Sequence, residues 1–273
     1  MARPAVALVG LLVGLAVLAA PHRTSAIQPT EAPASPALTI DEQERFLASA
    51  RVVRARRVDR GVTGTLRATL TDGRVTHDAS LQFVDLARPH FQGTQGTELN
   101  FKDSWRFNVA AYRLARLLGI RSVPPSVERE WRGRKGSFTW WIDDVQMDEG
   151  ERLRTAARAP DAEAWNRQIW KVRVFDQLVE NVDRNTGNLL IDRAWTIWMI
   201  DHSRAFRSSN RPPNDGHLRR CPRPLYDALK ALDEVAFAAA VRDYLTPWEI
   251  RAVLARRAYI VARLEATPGA IVP

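Results

Sequence analysis

The chain has 273 residues, enough for one bilobal domain or two small ones around a real core. Its formal net charge of +9 is carried almost wholly by arginine, since Lys102, Lys135, Lys171 and Lys230 are the only lysines, and the dispersed arginines read as a solvated basic surface with no specific nucleic-acid site. One cysteine, Cys221, excludes an internal disulfide framework and a cysteine-based zinc site, and the five histidines are scattered, which leaves magnesium on Asp and Asn oxygens as the metal the sequence allows.

Residues 1–26 read as a secretory signal peptide. Arg3 supplies the positive start, Ala5 to Ala20 is a run without charge, and Thr24-Ser25-Ala26 offers small residues for cleavage. The expected location is therefore outside the cytoplasm, periplasmic or extracellular, with a membrane as partner only if residues 5–20 stay on as an uncleaved anchor. Residues 27–40 follow as a Pro/Ala/Ser linker, and Asp41 to Ala50 reads as a short helix capped by Thr39 or Asp41.

Arg51–Val58, Thr65–Leu70 and Val75–Val84 read as three strands, with Thr71-Asp72-Gly73 as a hairpin turn and Gly61-Val62-Thr63-Gly64 between the first two. Phe101 to Leu118 has apolar residues at helical spacing and ends at Gly119. Trp131 to Val145 reads as a hairpin turning at Gly133–Gly136 and leading to Trp140-Trp141-Ile142. Asp161 to Glu180 is a second helix, its buried stripe marked by Trp165, Ile169, Val172 and Val179. After Phe206 a Pro-rich loop runs to Pro224. Three helices close the chain, the last opened by a capping box at Thr246-Pro247-Trp248-Glu249.

The stretch with chemistry in it is Phe175 to Phe206. A polar loop, Asp183-Arg184-Asn185-Thr186-Gly187-Asn188, is followed by two short apolar runs, the second ending in Asp201. If those runs form a hairpin, the chain returns and Asn188 and Asp201 can share one metal ion. An Asp to take a hydroxyl proton, an Asn and a later Asp on the metal are the parts a phosphoryl-transfer site needs. The alternative is a plain hairpin in which Asp183 caps a turn and Asp201 pairs with an arginine.

The pattern N-x-D-R-x-x-G-N-x-L followed by W-x-I-D-H resembles the catalytic core of the phosphatidylinositol 3- and 4-kinase-like family, with HipA-type and Golgi secretory kinases among its relatives; the look is closest to bacterial members. The resemblance runs from about Arg51 to Phe206. It implies an α+β, bilobal protein-kinase-like fold, with a small antiparallel-sheet N-lobe (41–145) and a mostly helical C-lobe (146–273). It implies Asp183 as the catalytic Asp beside Arg184, and Asn188 and Asp201 as metal ligands. Gly61 and Gly64 would then cover phosphates, and Trp140, Trp141 and Ile142 would wall the adenine. Two departures stand out in the loop: Asn185 where the family usually has His, and Ser203 where it often has Gly. Deeper in, Gln82 stands where kinases carry the phosphate-anchoring Lys, and Asn108 where the helix carries its partner Glu.

Two functions are consistent with these residues. One is an exported magnesium- and ATP-dependent phosphotransferase acting on a hydroxyl acceptor that the sequence does not name. The other is a non-catalytic kinase-fold binding protein, because neutral Gln82 can hydrogen-bond a phosphate but cannot neutralise it.

Overall fold

In the computed structural model, Met1 and residues 38–58, 64–93 and 96–273 are described. The hydroxyl of Thr39 accepts from the Glu42 N–H while the Glu42 carboxylate takes the Thr39 N–H, and this reciprocal cap starts α1 (Ile40–Ser49). Its buried Phe46 and Leu47 drop onto an antiparallel sheet of order β1-β2-β3-β7-β6. The strands are β1 (Arg51–Arg57), β2 (Leu66–Thr71), β3 (Thr76–Gln82), β6 (Ser126–Trp131) and β7 (Arg134–Trp140). Strand alternation decides the two faces. Ala68, Leu70, Ala79, Leu81 and Phe138 join α1 in a small core, while Arg67, Ser80, Gln82 and Thr139 face a cleft on the other side. β1 is an outer strand, and its Arg51, Arg54, Arg56 and Arg57 are all exposed.

Turn chemistry fixes the register. Between β2 and β3 the Asp72 carboxylate accepts from the N–H groups of Arg74 and Val75 at 2.8 and 2.7 Å. Between β6 and β7 the turn is tighter than the sequence implies: it closes on Arg132 (φ +53°) and Gly133 (φ +71°). Gly136 consequently falls inside β7, where a Cβ would run into the Gln82 carbonyl oxygen and the Phe83 ring.

A hairpin unannounced by the sequence, β4 (Asp85–Gly93) with β5 (Gly96–Ser104), follows β3. Most of it is exposed and Pro89 interrupts its pattern, so alternation gives no sign of it. It also corrects the next helix, expected from Phe101. Phe101 to Ser104 continue β5 in register with Asp85 to Arg88, and Ser104 caps α2 (Trp105–Leu117) by accepting from the Arg106 N–H. α2 is buried on nearly every side, packed against both β6 and β7 and the helical core.

From β7 the chain runs through β8 (Val145–Asp148) and α3 (Glu149–Thr155), an element absent from the sequence reading, to α4 (Ala162–Val179). The Asp161 side chain caps α4, accepting from the Glu163 and Ala164 N–H groups. β9 (Leu189–Asp192) and β10 (Ile197–Met199) then form a three-stranded antiparallel sheet with β8, of order β10-β9-β8. The remainder is β11 (Cys221–Pro222), α5 (Arg223–Ala231), α6 (Glu234–Val241), α7 (Pro247–Glu265) and β12 (Ile271–Val272). The capping box of Thr246 and Glu249 with Pro247 opens α7 as the sequence indicates. Val109, Leu114, Phe175, Leu178, Met199, Phe206, Phe237 and Ile260 build the larger core, giving an α+β chain with a sheet lobe and a helical lobe. Among the described residues no helix is long and apolar enough to cross a membrane.

One ion pair is wholly interior. Arg256 of α7 is 0% exposed and donates Nη1 to Glu180 Oε2 at 2.9 Å and Nε to the Leu178 carbonyl at 2.8 Å. The same Nη1 also reaches the carbonyls of Arg207 and Ser209. Burial pulls the guanidinium down to about 10, so it is still a cation at neutral pH. Glu180→Gln would leave that cation without its counter-charge. We expect about 3 kcal/mol of lost stability by urea unfolding; a loss below about 1 kcal/mol would show that the carbonyls alone satisfy Arg256.

Candidate active site

The loop after α4 is shaped by its own side chains. Glu180 turns the chain in a left-handed conformation (φ +51°), and Asn181 Oδ1 accepts from the Asp183 N–H at 3.1 Å. The Asp183 carbonyl accepts from the Asn185 N–H at 2.8 Å, and one 3-10 turn, Thr186–Asn188, leads into β9. β9 and β10 pair with Met199 opposite Leu189, and the Ile200 N–H then donates to the Asn188 carbonyl at 3.1 Å. The hairpin therefore returns the chain as expected and sets Asp201 beside the loop. Asp201 pairs with no arginine among the described residues, against the plain-hairpin alternative.

Arg184 lies beneath the loop, away from the cleft lining. Its guanidinium donates to both oxygens of Asp176 on α4 (3.0 to 3.2 Å), to the carbonyls of Asn188 (3.1 Å) and Ile200 (2.7 Å), and to His202 Nε2 (2.9 Å). The residue is thus a scaffold for the loop, which corrects its placement among the reacting groups. His202 is the fourth partner of this guanidinium. Burial, and then the neighbouring Arg184, hold its imidazole well below the usual histidine range. It stays neutral, with Nε2 as the acceptor and the proton on Nδ1.

A cleft of about 790 Å³ opens between the sheet lobe and the loop. Gln82, Asn108, Trp140, Trp141, Ile142, Asp183, Asn188 and Asp201 all line it, so eight of the residues singled out in the sequence meet in one place. Gly64 does not line it, and Gly61 lies outside the described residues. The substitutions at the Lys and Glu positions prove coupled. Asn108 Nδ2 donates to Gln82 Oε1 at 2.6 Å, Gln82 Nε2 donates to the Thr65 hydroxyl at 3.2 Å, and Asn108 Oδ1 accepts from the His202 N–H at 2.8 Å. A charged bridge between strand and helix is replaced by a neutral relay that runs from β3 through α2 to the residue after Asp201. Lys102 does not supply the missing cation: it pairs with Glu249, outside this cleft.

Trp140 stacks on His77 with ring centroids 3.7 Å apart, and His77 in turn contacts Asp143 at 2.7 Å. Arg67 lies over the Trp141 ring at 4.3 Å and is tied to Asp78. Arg67 is the one cation lining the cleft among the described residues, against acidic Asp143, Asp144, Asp148, Asp183 and Asp201. The sequence reading missed Arg67; its signal is register, since it sits opposite Ser80 and so shares the face of Gln82.

Burial raises the Asp183 carboxyl, Arg204 opposes that rise, and Asp201 adds to it. The result is a carboxylate open to the cleft with a strengthened hold on a proton, a property suited to a general base. Asp103, buried at the foot of α2, is raised by desolvation, opposed by a hydrogen bond from Ser203. Asp201 is held in a left-handed conformation (φ +52°), with one carboxylate oxygen accepting from the Ser203 N–H at 3.3 Å. Its other oxygen and the Asn188 side chain are hard donors that suit magnesium or manganese. No three His, Cys, Asp or Glu side chains among the described residues make a closed metal cage. Two protein ligands completed by phosphate and water oxygens is the arrangement magnesium takes in nucleotide sites, so the residues fit the ion.

No family model matches the chain, and no curated protein matches it in sequence. Solved structures do match. The chain is similar to hydra Fam20, solved with sugar, at 14% identity and a TM-score of 0.61 over 85% of this chain and 92% of that one. It is also similar to the Golgi casein kinase with Mn/ADP bound (14% identity, TM-score 0.58, 82% of this chain and 75% of that one). A third match is the Helicobacter pylori proinflammatory kinase CtkA (10% identity, TM-score 0.52, 81% of this chain and 98% of that one). At such identities the likeness is one of fold, and it establishes a bilobal kinase-like architecture.

The neutral state of His202 has a consequence for stability. Its contribution is complete above the ordinary histidine value of 6.5 and is lost as pH falls from there through the depressed folded value, because only the unfolded chain takes up the proton. That slope is at most about 1.4 kcal/mol per pH unit. His202→Gln keeps an acceptor for Arg184 and removes the titration. Between about pH 7.5 and 5.5 the variant should lose less stability in urea unfolding than wild type. Equal losses would mean that folded His202 carries a proton.

Proposed function

We propose that the protein is an exported phosphotransferase that uses ATP and magnesium to phosphorylate a hydroxyl acceptor. The observation that carries this reading is the convergence of Asp183, Asn188 and Asp201 on one cleft that Trp140, Trp141 and Ile142 also line. The motif's likeness to lipid-kinase-like enzymes and the Mn/ADP-bound Golgi casein kinase among its fold neighbours support the same choice of donor and metal. A bound divalent cation supplies the charge neutralisation that the phosphates need. Asn188 and Asp201 hold that ion, and the Trp140–Ile142 wall takes the base. Asp183 accepts the hydroxyl proton as the acceptor oxygen bonds to phosphorus and the bond to the leaving diphosphate breaks. Positioning and electrostatics carry most of the rate in such a transfer.

A second reading, a non-catalytic nucleotide-binding protein, is favoured by one observation. Both ends of the Gln82 amide are engaged internally, to Thr65 and Asn108, so this position offers a phosphate no charge and at most the second hydrogen of its amide nitrogen.

The two aspartates separate these readings. Asp201→Asn should weaken magnesium-dependent ATP binding at least about tenfold by calorimetry, about 1.4 kcal/mol. Asp183→Asn should bind within about twofold of wild type and lose transfer by about a hundredfold or more. Equal loss of binding in both variants overturns the assignment of roles. A wild-type protein that binds ATP with magnesium and transfers to no hydroxyl acceptor is the second reading.

Export has its own measurement. Removal of residues 1–26 gives material that begins at Ile27, and the intact mass of protein secreted by a bacterial host should match that start. Retention of Met1 or Ala2 would mean an anchor at residues 5–20.

A further inference from the structure

The segment after Asp201 is bent against its own preferences. Asp201 and Phe206 both sit at left-handed φ values, +52° and +56°, where a residue with a side chain costs about 1 kcal/mol or more. What holds it is the β4–β5 hairpin. The Ser104 N–H donates to the Ser203 carbonyl at 2.9 Å, and Arg207 Nη1 donates to the Asn100 carbonyl at 2.8 Å. The centre of the grip is Glu98 of β5. Its two carboxylate oxygens are divided between two guanidiniums of the segment, Oε2 to Arg204 and Oε1 to Arg207. Arg204 also lies over the Phe101 ring at 4.5 Å.

Two arginines converging on one acidic group is the geometry by which a phosphate added to a loop orders that loop. Ser208 and Ser209, directly after Arg207, are exposed hydroxyls of the kind such modification uses. Here the anionic seat between the arginines is already filled by a carboxylate on a neighbouring hairpin. Three of the four buried polar atoms without partners among the described residues, Asp103 Oδ1, Arg204 Nε and Arg207 Nε, belong to this same cluster. Its charges are therefore held by a few directed contacts, and losing Glu98 would leave two cations facing each other.

We infer that Glu98 is a positioning residue, a built-in substitute for an activating phosphate, which holds residues 203–208 against the β4–β5 hairpin without covalent modification of the segment. The inference deepens the phosphotransferase reading on its acceptor side, while the clamp itself is measurable without any transfer reaction. Position carries the link, since the clamped segment follows directly on Asp201, which lines the cleft together with Asp183.

Hydrogen exchange on the full chain, resolved to peptides covering 203–208, tests it. In Glu98→Gln these amides should exchange about tenfold faster, with α4 and α7 unchanged. Glu98→Ala should behave alike, and added acetate should restore its protection by refilling the seat between the guanidiniums. Glu98→Asp should keep most of the protection. Phosphatase treatment should leave wild type unchanged. Unaltered exchange in Glu98→Gln overturns the proposal, as does phosphatase-treated wild type that exchanges like the variant. Loss of protection spread through α4 and α7 in both Gln and Ala variants also overturns it, since Glu98 would then be a residue of general stability. Where transfer is measured, Glu98→Gln should raise the acceptor KM several-fold and leave ATP affinity within about twofold. A clamp that passes the exchange test in a protein that transfers no phosphate would remove the enzyme reading and leave Glu98 in place.

Discussion

The guanidinium of Arg184 is the constraint from which the site is built. One planar group joins α4 through Asp176, the loop through the Asn188 carbonyl, the end of β10 through the Ile200 carbonyl, and the following residue through His202. Charge-assisted bonds of this kind are about twice as strong as neutral ones, and a planar fork fixes direction as well as distance. Because Arg184 is adjacent to Asp183 and bonds on either side of Asp201, it sets the separation of the two carboxylates without entering the cleft. It also bonds the His202 ring, and the N–H of that same residue donates to Asn108, which in turn donates to Gln82. Sheet lobe and helical lobe are thereby registered through uncharged hydrogen bonds.

The cleft that results is short of positive charge. Arg67 is its one lining cation among the described residues and is already tied to Asp78, while five aspartates line the same space. A polyphosphate entering such a cleft is repelled unless its counter-ions come with it. Under the proposed phosphotransferase reading, metal ions would do the electrostatic work that a lysine on the strand would otherwise share. In that reading the oxygens of Asn188 and Asp201 would carry more of the load than the strand position taken by Gln82.

What the sequence made legible followed from local rules. The hairpin that returns Asp201 to Asn188 was visible because two apolar runs flank a short turn, and the caps at Thr39 and Thr246 were visible because their partners lie three residues away. The relation of Gln82 to Asn108 was visible as a coupled departure from the kinase-like pattern. Features set by distant contacts were hidden. The β4–β5 hairpin lacks an apolar alternation, and Glu98 meets Arg204 and Arg207 more than a hundred positions along the chain. Position next to Asp183 marks Arg184 in the sequence as a neighbour of the chemistry that can orient the loop; only the packing of α4, which brings Asp176 to it, shows that it faces inward.

The row of exposed arginines on β1 bears on how these molecules meet one another. An outer strand with free backbone groups is a template on which a second sheet can add itself. Arg51, Arg54, Arg56 and Arg57 lie along this rim, while β6 at the opposite rim packs against α1. Two copies approaching rim to rim would press like charges together before any backbone pairing formed. Four of the arginines, which composition alone presents as part of a general basic character, thus stand where they keep each molecule's sheet finite and its neighbours apart.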